Sequence, residues 1–283
     1  MSIHSTYYSL LWKFGRRLYM IARNDLTLTP EKNGEYWIQE KLVASFPENY
    51  NFVVFDIGAN IGEWSSSIIN ISKHQKNNKG SLHLFEPAKD TYEFLQNFFA
   101  GSNDLLKINH LAVGDSNKEI LFYVNGELSA VNSIHKQPNS TSEKVQLIRL
   151  DDYISANQIK HIDMVKSDTE GNDCRAIFGA EKALIEGKID LWQFEYNHKW
   201  IDSKNYLKDV FKFIEDKDYM VGKLCTNQIQ VYDKWEPELE RFFEANYLLI
   251  KKENKLVKKI GKYFKYDQSN ILVLNRSKRF WWS

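Results

Sequence analysis

The sequence predicts an α/β protein built on one mostly parallel sheet, about seven strands wide, with helices on both faces. Three observations predict it. From residue 52 onward, short apolar runs of strand length alternate with stretches whose apolar residues recur at helical spacing. Several of the runs, such as Phe52-Val53-Val54-Phe55, are apolar without a polar alternation, as strands covered on both faces require. At 283 residues, with 43% hydrophobic and 27% charged residues and only five prolines, the chain can bury a sizeable core and is not disordered or repetitive.

Phe52 to Phe55 reads as the first strand, ending at Asp56, and Ile61, Trp64, Ile68 and Ile71 mark the helix that follows. Asn77 to Gly80 reads as a loop. Leu82 to Phe85 forms the next strand, stopped by Glu86-Pro87, and Tyr92, Leu95 and Phe99 supply the stripe of a second helix. A third strand is expected near Ile108 to Val113 and an extra one at Glu119 to Val124. Asn125 to Ser142, rich in Ser, Asn and Gly without periodicity, reads as a long loop that could cover a site.

Further along, Ile162 to Val165 forms a strand, Ile177, Ala180 and Leu184 a helix, and Leu191 to Phe194 another strand. Leu207, Val210, Phe211 and Ile214 give the next helix, and residues 219 to 250 the closing strands. These elements divide the chain into an N-terminal helical segment (1–50), a main α/β domain (51–250) and a basic appendage (251–283), whose Phe280, Trp281 and Trp282 are expected to dock on the body.

The net charge is +1, so bulk electrostatics do not point to nucleic acid. Its distribution is uneven: residues 251 to 283 carry +8, residues 1 to 25 carry +3, and the middle carries −10. Leu10, Leu11, Phe14 and Leu18 share one helical face largely apart from Lys13, Arg16 and Arg17. That pattern suits peripheral contact with a membrane surface through the basic termini, or, as the plainer reading, a helix packed on the protein's own core. No run is long and apolar enough to be a signal peptide or a spanning helix. Cys174 and Cys225 stand alone, outside any CxxC or Cys/His cluster, so neither a disulfide framework nor a zinc site is signalled, and a cytoplasmic setting fits.

The chemistry is expected at Asp56-Ile57-Gly58-Ala59-Asn60-Ile61-Gly62, a turn between the first strand and its helix. Gly58 permits close approach of a ligand to the backbone, Gly62 permits tight packing at the helix entry, and Asp56 adds a carboxylate beside the turn. Glu86, at the end of the next strand, could accept both hydroxyls of a ribose. A nicotinamide-dependent oxidoreductase would share these two features. It would, however, want glycine where Asn60 stands, and Glu63 puts an acid where a diphosphate would sit. S-adenosylmethionine, which has no phosphate and carries a cationic sulfonium, suits an acid-tolerant loop better. A non-catalytic binding module on the same fold is the remaining alternative.

Six motifs in order carry a resemblance. Asp56 to Gly62, Leu84-Phe85-Glu86-Pro87, His110-Leu111-Ala112-Val113-Gly114-Asp115, Leu150-Asp151-Asp152-Tyr153-Ile154, Lys166-Ser167-Asp168-Thr169-Glu170-Gly171 and Gln193-Phe194-Glu195-Tyr196-Asn197 together resemble the FkbM family of methyltransferases over about residues 50 to 200. The resemblance implies a class I methyltransferase fold, S-adenosyl-L-methionine as methyl donor, and a hydroxyl acceptor on a sugar, glycan or glycosylated metabolite. It implies that Asp56, Gly58, Asn60 and Gly62 surround the methionine part, that Glu86 holds the ribose, and that Ala112 and Val113 lie near the adenine. It also places Asp168 beside the transferred methyl, where it could orient or deprotonate the acceptor. Glu170 could assist or cap the next helix. Glu195 and His198, after the fifth strand, could complete an acid/base pair with Asp168, although His198 reads as well as a surface residue. The family usually has apolar residues where Ser167 and Thr169 stand, so local contacts of that loop are expected to differ.

Overall fold

In the computed structural model, residues 3–23, 29–74, 80–101, 106–126, 128–129, 132–136 and 140–278 are described. Phe280, Trp281 and Trp282 lie outside them, so the expected docking of the C-terminus does too.

Three helices precede the sheet: α1 (Ile3–Ala22), α2 (Pro30–Asn33) and α3 (Glu35–Ser45). The first half of the sheet then builds in alternation, as β1 (Phe52–Ile57), α4 (Glu63–His74), β2 (Gly80–Phe85), α5 (Lys89–Phe98) and β3 (Leu106–Asn109). A small second sheet follows, from β4 (Ala112–Gly114), β5 (Lys118–Val124) and β6 (Thr141–Arg149), and α6 (Leu150–Ala156) leads away from it. The chain re-enters the main sheet with β7 (Met164–Ser167), α7 (Asp173–Phe178), α8 (Glu181–Ile185), β8 (Leu191–Tyr196) and α9 (Leu207–Phe213). It closes with β9 (Tyr219–Cys225), β10 (Gln228–Tyr232), β11 (Ala245–Lys251), α10 (Lys255–Ile260), β12 (Gly261–Tyr266) and β13 (Leu272–Leu274).

The strand order is β13-β12-β10-β9-β11-β8-β7-β1-β2-β3. β3, β2, β1, β7 and β8 run parallel to their neighbours, and β11 inserts antiparallel between β8 and β9. The chain leaves β1 outward through β2 and β3, then returns to β7 on the other side of β1. That reversal opens a crevice at the carboxyl ends of β1 and β7, where an open α/β sheet binds ligands.

Burial explains why β1 reads as an unbroken apolar run. Phe52 and Val54 pack into one hydrophobic cluster with Ile38, Leu42, Trp64 and Ile68, whereas Phe55 and Ile57 pack into the other with Leu150, Ile177 and Trp192. Alternate side chains therefore face opposite layers of helices, and both layers must be apolar. Trp64, Trp192 and Trp200 are all buried in these clusters, so they are core residues and not stacking platforms.

Several expectations need correction. The sheet has ten strands among the described residues, not about seven, because β12 pairs with the outer edge of β10 and carries β13 with it. The basic segment from residue 251 is thus partly woven into the sheet, with Val257 of α10 fully buried. The single strand expected over 108–113 is two strands in different sheets. Thr141 and Ser142, assigned to a loop, begin the long strand β6, and Gly80 begins β2. The helix expected around Ile177 to Leu184 is broken into α7 and α8. Finally, α1 does not pack its apolar face on the core: Leu10, Leu11, Phe14 and Leu18 are exposed.

Candidate functional site

The loop after β1 is shaped by contacts its sequence dictates. Gly58 and Ala59 donate their N–H groups to Phe85 O at the end of β2, and Asp168 N–H donates to Ile57 O, tying together the ends of three strands. Gly58 has φ +76, and a Cβ there would stand 2.0 Å from the carbonyl oxygen of Asp168. Only glycine allows the two loops to meet. Asn60, also at positive φ, presents its N–H to Glu86 Oε2 at 2.9 Å, and Ala88 N–H donates to Glu86 Oε1 at 2.9 Å. Burial, opposed by those two donors, pushes the Glu86 carboxyl up to about 7.

Two adjoining cavities open on this loop. The first, about 540 Å³ of empty space including its mouth, is lined by Gly58, Asn60, Glu86, Ala112, Val113 and Asp168, with Phe85, Leu111 and Phe122 adding apolar wall. Ser129, Asn132 and Ile134, from the segment joining β5 and β6, complete it. The second, about 770 Å³ on the same measure, is lined by Glu35, Tyr36, Glu63, Trp64, Lys166 and Glu195, and again by Gly58, Asn60, Asp168 and Glu170. The shared residues make them two arms of one cleft, with Asp168 at the join.

Beneath the join lies a nearly buried charge cluster. Lys166 Nζ stands 3.5 Å from Asp56 Oδ1 and 3.6 Å from Asp168 Oδ2, and Ser65 Oγ donates to Asp56 Oδ2 at 2.7 Å. Burial alone would lower the Lys166 ammonium, but the fields of Asp56, Asp168, Glu35 and Asp173 outweigh it and raise it. Burial pushes Asp56 above its usual range against the pull of Lys166. Asp173, also fully buried, is pushed up to about 7 by burial and then by Asp168. Glu170 ion-pairs with Lys199, and burial raises it. Burial, then Asp168 and Glu170, push Glu195 well above the usual carboxylate range. Asn197 Nδ2 donates to Glu195 Oε2 at 2.5 Å.

Of the residues expected to meet the cofactor, Gly58, Asn60, Glu86, Ala112, Val113 and Asp168 line the cleft. Asp56 and Gly62 line neither arm: Asp56 braces the loop through Ser65 and Lys166, and Gly62 packs against Leu95 and Phe99. Glu195 lies within β8 and lines the second arm, close to Asp168 as expected. His198 is exposed at the head of a short 3-10 turn and lines neither arm. Glu170, weighed as a helix cap, instead engages Lys199 and lines both arms. Sequence reasoning did not single out Lys166, although it sits in the quoted motif, and it missed Glu35 and Tyr36, which only the path of α3 brings here.

Among the described residues, one His/Asp group could hold a metal: His161, Asp163 and Asp190, at the opposite end of the sheet. His161 Nε2 lies 3.4 Å from a carboxylate oxygen of each acid, and their hydrogen bonds raise it to about 10, so a protonated imidazole already serves as their cation. Asp163 also accepts from Tyr50 Oη and Val53 N–H.

A doubly wound sheet with a two-armed, acid-lined cleft at its switch point defines a cofactor-binding α/β enzyme. The family profile described as "Methyltransferase FkbM domain" matches residues 56–221, more than half of the chain, and the chain belongs to that family. It is a methyltransferase whose methyl donor is S-adenosylmethionine. Nicotinamide chemistry and a merely structural module are thereby set aside. The chain is 22% identical over 181 residues to the hexuronic acid methyltransferase AglP of Haloferax volcanii, covering 60% of this chain and 70% of that protein. Among solved structures it is similar to the precorrin-6y C5,15-methyltransferase of Geobacter metallireducens (13% identity, 76% of this chain, 88% of that one, TM-score 0.39). Another is M. capricolum TrmK with S-adenosyl-homocysteine (9%, 77% and 69%, TM-score 0.40). At these scores the structural likenesses carry no functional argument. No described helix is long and apolar enough to cross a membrane.

Proposed function

We propose that the protein methylates a hydroxyl of a sugar, glycan or glycosylated metabolite, with Asp168 as the residue that receives the acceptor's proton. The observation that carries this reading is the position of Asp168: partly exposed, at the join of the two arms, and held by Lys166 from below. The name of the Haloferax relative adds a sugar acid as the first acceptor class to try.

The cleft fits the donor. Asn60 Oδ1 and Trp64 Nε1 are buried with no partner among the described residues, leaving an acceptor and a donor in the wall of the cleft. In this reading Glu86 takes the ribose hydroxyls, Ala112 and Val113 flank the adenine, and Gly58 and Asn60 carry the methionine part. Glu35, Glu63 and Asp168 against Lys166 make the second arm acidic, which favours a cationic ligand. When bound, S-adenosylmethionine supplies an electrophilic methyl on a positively charged sulfur.

The residues of the chain then supply alignment and proton management. An acceptor oxygen must sit in line with the methyl and the sulfur, and the segment around Ser129 to Ile134 can exclude water from that line. As the oxygen–carbon bond forms and the carbon–sulfur bond breaks, the hydroxyl proton passes to the Asp168 carboxylate. Glu195, raised toward its neutral form, can offer an O–H to a neighbouring oxygen of the sugar. Hydroxyl-rich acceptors match this density of carboxyl groups.

The test is incubation with isotopically labelled S-adenosylmethionine and a panel of free and glycosidic hexuronates, hexoses and glycosylated metabolites, followed by mass spectrometry of the products. The reading expects a methyl ether on a sugar hydroxyl. It also expects Asp168→Ala to lower kcat by roughly 10²- to 10⁴-fold while S-adenosylmethionine binding by calorimetry is retained. Methylation of a nitrogen or carbon acceptor, or unchanged turnover in Asp168→Ala, would remove it.

A further inference from the structure

Helix α1 takes no part in the cleft, yet it carries much of the exposed apolar surface of the described chain. Leu10 (62% exposed), Phe14 (63%), Leu11, Leu18, Tyr7 and Ile21 are all open to solvent. At 3.6 residues per turn these six side chains fall on one side of the helix. Gly15, on the edge of that side, has no neighbour within 4 Å of where a Cβ would stand.

The body holds α1 from another side. The Tyr19 ring meets Phe243 edge-on at 6.3 Å, and the Arg16 guanidinium lies 5.6 Å from the same ring. Arg23, just past the helix end, bonds to Glu238 Oε2 at 2.6 Å, to Glu238 O at 2.8 Å and to Tyr266 Oη at 2.6 Å. Arg16 and Tyr19 are three residues apart and point away from Phe14 and Leu18, so the anchorage turns the apolar side outward.

We propose that α1 lies flat in the interface of an anionic lipid bilayer, its apolar side among the acyl chains. Charge selects this occupant over a second copy of the chain. Between Ser5 and Ala22 there is no acid, while Arg17 borders the apolar side and Lys13 lies beside Arg17. Two copies of α1 would bring like charges together, whereas phosphate headgroups are their complement. Exposed Tyr8 lies toward the edge of the apolar side, where an amphipathic ring can sit at headgroup level. On β12, whose Tyr266 bonds Arg23, the exposed Lys262 shares the face of Tyr266 and adds a positive charge on that side. The mixed composition of α1 keeps it from spanning, so it lies on the membrane and does not cross it.

The experiment is vesicle flotation of the full chain with phosphatidylcholine vesicles, with and without phosphatidylglycerol. Three proteins are compared: the natural chain, Leu11→Asp with Phe14→Asp, and Lys13→Glu with Arg17→Glu. Calorimetry with S-adenosylhomocysteine verifies that each variant is folded. The expected result is flotation with the anionic vesicles, weakened by salt and by the charge reversal. The apolar pair of substitutions should lower the partition coefficient at least about tenfold. No flotation of the natural chain, or equal flotation of the Leu11→Asp/Phe14→Asp protein, overturns the proposal. So does self-association in sedimentation that this pair abolishes without any vesicle binding, which would assign the face to a second copy.

Discussion

Gly58 shows how much one residue can fix at this site. Its φ of +76 and the carbonyl of Asp168, 2.0 Å from where a Cβ would be, mean that Gly58→Ala must push apart the β1 and β7 loops. Urea unfolding of that variant should show a loss of more than about 1 kcal/mol, and calorimetry a loss of S-adenosylmethionine binding. Glu86 makes a second prediction, this one in pH. Its carboxyl is raised from 4.5 to about 7, mainly by burial, so between those values the folded chain holds a proton that the unfolded chain has released. Stability from this group therefore falls as pH rises through that window, and Asp173, also near 7, adds the same sign. On the proposed reading, in which Glu86 takes the ribose hydroxyls, cofactor affinity should run the other way, because only an ionised carboxylate can accept from both. Calorimetric titrations should show log affinity climbing with pH toward about 7 with a slope approaching one and then flattening. Glu86→Gln should bind more weakly and lose that slope. These residues were legible in the sequence because a glycine at a strand end and an acid at the next strand end are local requirements. Asp56 was read as a ligand contact, whereas in the structure it lines neither arm and is engaged by Ser65 and Lys166, since spacing along the chain does not tell which way a buried carboxylate turns.

At the scale of elements, apolar runs buried on both faces were the easiest to read. β1, β2, β8 and, in the small sheet, β5 fall where the sequence places them and β7 begins two residues later than expected, whereas β4 and β6 were not read as such. β6, Thr-Ser-Glu-Lys-Val-Gln-Leu-Ile-Arg, alternates polar and apolar residues because only one of its faces is buried, and its polar start merged with the preceding loop. The boundary between β3 and β4 was hidden for a different reason: the chain changes sheets there without a glycine or proline to mark it. The exposure of α1 was invisible for a third, since an amphipathic pattern is the same whether its apolar side meets the core or not. Arg23 tests how that helix is held. Its guanidinium is 8% exposed and makes three bonds to Glu238 and Tyr266, and Arg241, bonded to the Tyr19 hydroxyl, adds a weaker hold at this end of α1. Arg23→Ala should leave the sheet intact but free the helix. Limited proteolysis should then release α1 at protease levels that spare the natural chain, and overall stability should fall by about 1–3 kcal/mol.

At the scale of the molecule, the sheet is organised around two separate regions: the switch between β1 and β7, where the cleft forms, and the far edge beyond β9, where the chain ends. The parallel half and its switch point were foreseen because each helix-and-strand repeat announces itself, and because the ordered motifs fall at successive strand ends. The width of the sheet was not foreseen. Lys-rich composition made residues 251 onward look like a solvated appendage, yet β12 is paired on both sides, with β10 and with the short edge strand β13, while its Lys262 and Lys265 stay exposed. The distinction can be tested by truncation after Lys251. Removing the segment strips β12 from β10 and withdraws the fully buried Val257 from its cluster with Ile229, Val231 and Ile38. One such side chain contributes ~1.5–3 kcal/mol of burial. With the lost strand pairing added, the melting temperature should fall by at least about 5 °C. β11, β9 and β10 stand between the cleft residues of β1, β7 and β8 and that edge, so S-adenosylmethionine affinity measured well below the melting point should be unchanged. An unchanged melting temperature would make the segment an independent appendage after all. A joint loss of stability and affinity would mean instead that the two ends of the sheet are energetically coupled.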